Sequence, residues 1–151
     1  MRDIAAMLRR CSLGFLVAAA FVAPVALAQP ADCPQPRFTG QAPADYYNRT
    51  NPVAAADQGL KAAQTLFLGT KGQASCAVCH GEKGDGKGLL SAQYDPPPRN
   101  FVCAKTVNGV PDGQLFWIIR FGSPGTAMPP HSKLSDDQIW QLVGYLRQLA
   151  K

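Results

Sequence analysis

The sequence predicts an all-α fold, a small loop-rich domain of a few helices whose centre must be filled by something besides side chains. Three observations carry this. No stretch alternates apolar and polar residues in the manner of a strand, whereas segments near 52–68 and 135–149 carry apolar residues at helical spacing. The 14 glycines and 13 prolines demand much loop and short helices. A chain of 151 residues allows one domain, and so much loop leaves it little core of its own. Apolar residues make up 46% and charged residues 17%, which excludes a polar disordered chain and a multi-span membrane protein. The net charge of +5 comes without a basic block, so nucleic acid is not an expected partner.

Residues 1–28 read as a secretory signal peptide. Arg2, Arg9 and Arg10 precede the apolar run from Leu13 to Ala23, Pro24 breaks it, and Ala26-Leu27-Ala28 forms an A-x-A cleavage site. The run is short for a membrane span and is interrupted by Pro24, so no span is expected after cleavage. Cleavage removes Arg2, Arg9, Arg10 and Asp3, and the charge falls from +5 to +3. It also leaves Cys33, Cys76, Cys79 and Cys103 as the mature cysteines and Met128 as the mature methionine. An export signal implies an oxidising compartment, and a bacterial periplasm is the expected location.

The mature chain divides into an irregular N-terminal extension, 29–51, without apolar period, and a domain over 52–151. Asn51-Pro52 reads as the start of a first helix that runs to Leu68, with Gly69 as its stop and Ala56, Leu60, Ala63 and Phe67 on one face. The Gly-rich stretch 81–88 and the run Asp95-Pro96-Pro97-Pro98 must be loop. Asp112 reads as the cap of a short helix, Gly113–Phe121, stopped by Gly122, and 122–131 as another loop. The last helix is the best marked: Ser135 and Gln138 make a capping box, Asp136 and Asp137 suit its N-terminus, and Ile139, Leu142, Val143, Leu146 and Leu149 share a face.

Cys76-Ala77-Val78-Cys79-His80 is C-x-x-C-H, the c-type haem attachment signature. Two thiols at this spacing reach the two vinyl groups of one porphyrin as thioethers, and the adjacent imidazole falls under the ring, beside the iron. A buried haem also supplies the apolar mass that the chain lacks. The competing readings fit less well. A thioredoxin-like pair wants a βαβ surround, and a closed zinc site would have to recruit Cys33, Cys103 or His131 at irregular spacing. The opposite axial ligand of such a haem is a Met, a His or vacant. Met128, set among stiffening prolines in Gly125-Thr126-Ala127-Met128-Pro129-Pro130, is favoured over His131, which reads as a surface residue beyond the loop.

The run Cys76–His80, the following GEKGDGKG, the GTAMPP loop and the terminal LSDDQIWQLVGYLRQLA together strongly resemble class I cytochrome c, over about residues 53–150. The resemblance implies a few helices around one covalent haem c with His80 and Met128 as axial ligands. It implies that the first and last helices cross, Ala63 and Phe67 meeting Leu142, Tyr145 and Leu146. The linker from Phe67 to Cys76 is several residues longer than is usual in the family. A backbone carbonyl, often from proline, supports the family's His, and Pro96, Pro97 and Pro98 are the candidates. Arg99 is a candidate for a haem propionate with a solvated side chain as its rival, and Trp117 is another, with plain packing as its rival.

Cys33 and Cys103 remain, an even number in an oxidising compartment, so a disulfide is expected, with two free thiols as the alternative. It would staple the extension to the domain, worth ~4–5 kcal/mol in chain entropy. A haem closed on both faces passes electrons and does no substrate chemistry. The chain is therefore read as no enzyme but a soluble periplasmic carrier between a redox donor and acceptor. The alternatives are a dedicated subunit of an oxidoreductase complex and, requiring an open iron, a peroxidase or gas sensor. Lys71, Lys83, Lys87 and Lys133 are candidates to ring the exposed porphyrin edge and steer an acidic partner, against an ordinary solvated surface.

Overall fold

The computed structural model describes residues 33–36, 39–53, 57–70 and 75–150. The expected signal peptide, Ala56 and Lys71 lie outside these residues. The described residues form six α-helices and no strand: α1 Ala44–Tyr47, α2 Asp57–Leu68, α3 Ala77–His80, α4 Ala104–Val107, α5 Asp112–Phe121 and α6 Asp136–Leu149, with a 3₁₀ turn at Ser91–Gln93. None of these helices is long and apolar enough to cross a membrane.

The frame is α6 crossing α2. The capping box that starts α6 is complete: Ser135 Oγ accepts from Gln138 N at 3.2 Å, and Gln138 Oε1 accepts from Ser135 N at 2.9 Å. Ile139, Leu142, Val143 and Leu146 then bury their side chains at i, i+3, i+4 and i+7. Against them stand Ala63 and Phe67 of α2, and the Phe67 and Tyr145 rings lie 5.5 Å apart at the crossing. Gly69, at φ 75°, ends α2, and its N–H donates to Thr65 O at 2.9 Å.

Three expectations are corrected here. The 29–51 extension is not wholly irregular, since it contains α1, laid against α5 with Tyr46 and Phe116 stacked at 6.2 Å. Asn51 does not cap α2, whose described part begins at Asp57. Its Oδ1 closes a turn on Val53 N at 2.9 Å, and its Nδ2 donates to Trp140 O at 2.9 Å, tying the extension to α6. Asp112 is the first residue of α5 and not its cap, a position held by Pro111. A guanidinium claims its carboxylate: Asp112 Oδ1 accepts from Arg147 Nε at 2.9 Å and Nη2 at 2.7 Å. Arg147 Nη1 also donates to Val107 O at 2.7 Å, so one side chain joins α6, α5 and α4.

Candidate haem site

The short helix α3 brings three donors to one side. Cys76 and Cys79 are three apart, His80 is one turn from Cys76, and the His80 N–H donates to Cys76 O at 2.9 Å. The Gly-rich stretch turns back over the end of α3 and satisfies its last carbonyls. Gly86 N donates to His80 O at 2.8 Å, Gly88 N to Cys79 O at 3.0 Å and Leu90 N to Val78 O at 3.0 Å. Glycine is required at position 88, where a Cβ would fall 2.5 Å from the Cys79 carbonyl carbon. Cys76 and Cys79 are half-buried, and neither forms a disulfide.

His80 is buried, with Phe101 stacked on its ring at 4.6 Å. Its Nδ1 donates to the carbonyl of Arg99 at 3.0 Å, which leaves Nε2 as the nitrogen for a metal. The supporting carbonyl therefore belongs to Arg99, and not to Pro96, Pro97 or Pro98. Burial lowers the His80 pKa, opposed by that hydrogen bond, and so keeps the ring in the neutral form that a metal needs.

Across the chain, the 122–131 loop is clipped back onto the end of α5. Ser123 N donates to Met128 O at 3.1 Å, Met128 N to Thr126 Oγ1 at 3.2 Å and His131 N to Ile119 O at 3.1 Å. Gly122, at φ 80°, makes the turn, and a Cβ there would stand 2.8 Å from Met128 O. Cys76, Cys79, His80 and Met128 all line one cavity of about 400 Å³. Phe67 of α2, Phe101, Leu115 and Ile119 of α5, and Leu142 and Leu146 of α6 supply apolar wall. Two thiols and an imidazole beside one apolar chamber suit a covalently held haem, and Met128 and His131 line the same chamber. The zinc alternative has no support: among the described residues no three His, Cys, Asp or Glu side chains group as metal ligands.

The family model for cytochrome c matches residues 60–150. The chain belongs to the cytochrome c family. As a class I cytochrome c it carries covalently bound haem c, and the family is one of electron-transfer proteins. Among solved structures it is similar to a chain of the Kuenenia stuttgartiensis reducing HAO-like protein complex Kustc0457/Kustc0458, at 25% identity and a TM-score of 0.56. The likeness covers 66% of this cytochrome and 47% of that chain, so the cytochrome spans about half its neighbour's length.

Of the remaining candidate residues, one falls differently from expectation. His131 is not on the surface; it is half-buried in the cavity wall, and burial lowers its pKa. Arg99 is laced to the extension, its Nη1 donating to Gln35 O at 3.3 Å and Pro36 O at 3.1 Å. Trp117, the other propionate candidate, lies outside the cavity wall with its ring 6.1 Å from Phe121. Lys83, Lys87 and Lys133 are exposed. Cys33 and Cys103 stand in disulfide geometry, their Cα atoms 5.7 Å apart. Gln35, Pro36, Thr39 and Tyr94 also line the cavity and carried no expectation. Tyr94 could have been suspected as an aromatic beside the proline run; the other three sit in a segment without any period.

Proposed function

We propose that this cytochrome is an exported, single-haem electron carrier of the periplasm, with Cys76 and Cys79 as the thioether attachments and His80 and Met128 as the axial ligands. The observation that carries the attachment and ligand assignment is the convergence of these four side chains on one apolar cavity. The haem would supply a one-electron couple, ferric to ferrous. The chain's own residues do the rest. Arg99 O holds the His80 ring in orientation, and the clipped 122–131 loop presents the Met128 sulfur with little freedom left to lose. The apolar wall excludes water and disfavours the extra positive charge of the oxidised state, so the potential is high, as the sulfur ligand also demands. Electrons pass at the edge beside Cys76 and Cys79, and Lys83, Lys87 and Lys133 guide an acidic partner. In this reading residues 1–28 are cleaved on export, and Cys33 and Cys103 form a disulfide in the oxidising compartment.

A second reading, that of a dedicated subunit of an oxidoreductase complex, is favoured by the likeness to a chain of the HAO-like complex. Size-exclusion chromatography of native extract separates the two, because a subunit co-elutes with its enzyme and a carrier runs alone. Absorption spectra of the purified protein, oxidised and reduced, test the main reading. Haem that survives denaturing electrophoresis, with a sulfur-to-iron band in the oxidised form, is expected. Haem lost on denaturation, or an oxidised spectrum without that band, overturns it.

A further inference from the structure

Two residues beyond Cys33, the extension reaches the rim of the haem cavity at Gln35. That side chain brackets Arg99 from both sides. Gln35 Nε2 donates to Pro98 O at 3.2 Å, and Gln35 Oε1 accepts from Asn100 N at 2.6 Å. The backbone of Gln35 is itself anchored, its N–H donating to Thr106 Oγ1 at 3.0 Å and its carbonyl accepting from Arg99 Nη1 at 3.3 Å. The Arg99 carbonyl, the acceptor for His80 Nδ1 at 3.0 Å, belongs to the same peptide as the Asn100 N–H that Gln35 holds. A residue some 60 positions away in sequence thus grips the short segment on which the imidazole rests.

We propose that Gln35 is a positioning residue for the axial histidine, fixing the Arg99 carbonyl against His80 Nδ1 and so setting the strength of that hydrogen bond. The inference rests on His80 being the iron ligand. A firm acceptor on one ring nitrogen makes the other a stronger electron donor, which favours the oxidised metal. Freeing the 98–100 segment weakens the acceptor, and the potential rises. Mere loss of cover at the cavity rim acts with the opposite sign, since entering water stabilises the more charged, oxidised state and lowers the potential. The two roles are therefore separable.

The test uses the full holoprotein with Gln35→Met and Gln35→Ala. Methionine keeps the bulk at the rim and removes both hydrogen bonds; alanine removes the bulk as well. The readouts are the reduction potential and the exchange of the His80 Nδ1 proton with deuterated solvent, followed by NMR. Both variants should raise exchange on the order of tenfold, the worth of one hydrogen bond, and Gln35→Met should raise the potential. A Gln35→Met protein with wild-type exchange and potential overturns the proposal, as does a lowered potential in both variants. In wild type, a His80 Nδ1 proton without a paramagnetic shift in the oxidised state overturns the ligand reading and this inference with it. A shifted proton whose exchange ignores Gln35 overturns this inference alone.

Discussion

Gln114 is fully buried, and its side-chain amide joins the extension to α5. Its Oε1 accepts from Ala42 N at 2.7 Å, and its Nε2 donates to Gly40 O at 3.1 Å. Gln114→Leu keeps most of the volume and removes both bonds. The Ala42 N–H, on a residue only 4% exposed, is then left without its acceptor. Two lost hydrogen bonds at about 1 kcal/mol each, and a stranded donor at about 1–3 kcal/mol, are partly offset by the apolar leucine. A net loss of about 2 kcal/mol results, or roughly 30-fold in the closing equilibrium of the extension. The assay is native-state hydrogen exchange on the holoprotein, read at the Ala42 amide, alongside a denaturant titration. Ala42 should lose roughly 30-fold of its protection, while amides of α6 lose no more than any global destabilisation dictates. Unchanged protection at Ala42 refutes the reasoning, for the extension would then be held without Gln114.

Met128→Ala should keep its haem through denaturing electrophoresis, lose the sulfur-to-iron band and show a lower potential by redox titration. Gly113→Ala should be destabilising by about 1–3 kcal/mol in denaturant titration, because its methyl overlaps the Tyr46 carbonyl oxygen and stands 3.0 Å from Arg49 O. Arg147→Met should cost about 2–3 kcal/mol by the same measurement, since it strips Asp112 of its partner and two carbonyls of a donor. His131 has its folded pKa depressed by burial, so the unfolded chain binds the extra proton first. Its contribution is intact above about pH 6.5 and is lost as pH falls from there toward the folded value. His131→Gln should flatten that slope in stability measured against pH.

The parts of the fold legible in sequence were those held by local rules. Ser135 and Gln138 announce α6 because a capping box is a contact between residues three apart, and Gly69 and Gly122 mark ends because their positive φ excludes most side chains. The attachment motif was legible for the same reason, as its donors lie within one helical turn. The rest depends on contacts that no window spans. Asp112 reads as a cap until Arg147, 35 positions on, takes its carboxylate. The His80 support is a backbone atom of Arg99, and a backbone atom leaves no mark on the choice of side chain. The extension has no apolar period because amide and carbonyl contacts to distant residues hold it, and Gln35 and Gln114 resemble solvated glutamines until the fold is seen.

The greasy lining of the chamber also bears on speed. Changing the charge of a buried centre obliges nearby dipoles to turn, and bulk water turns most. A chamber walled by Phe67, Phe101, Leu115, Ile119, Leu142 and Leu146 has few dipoles to move, so the nuclear rearrangement accompanying each transfer is small. The same residues that hold the protein together thereby lower the activation barrier to self-exchange, and a polar substitution among them should slow that exchange even where the folded state survives.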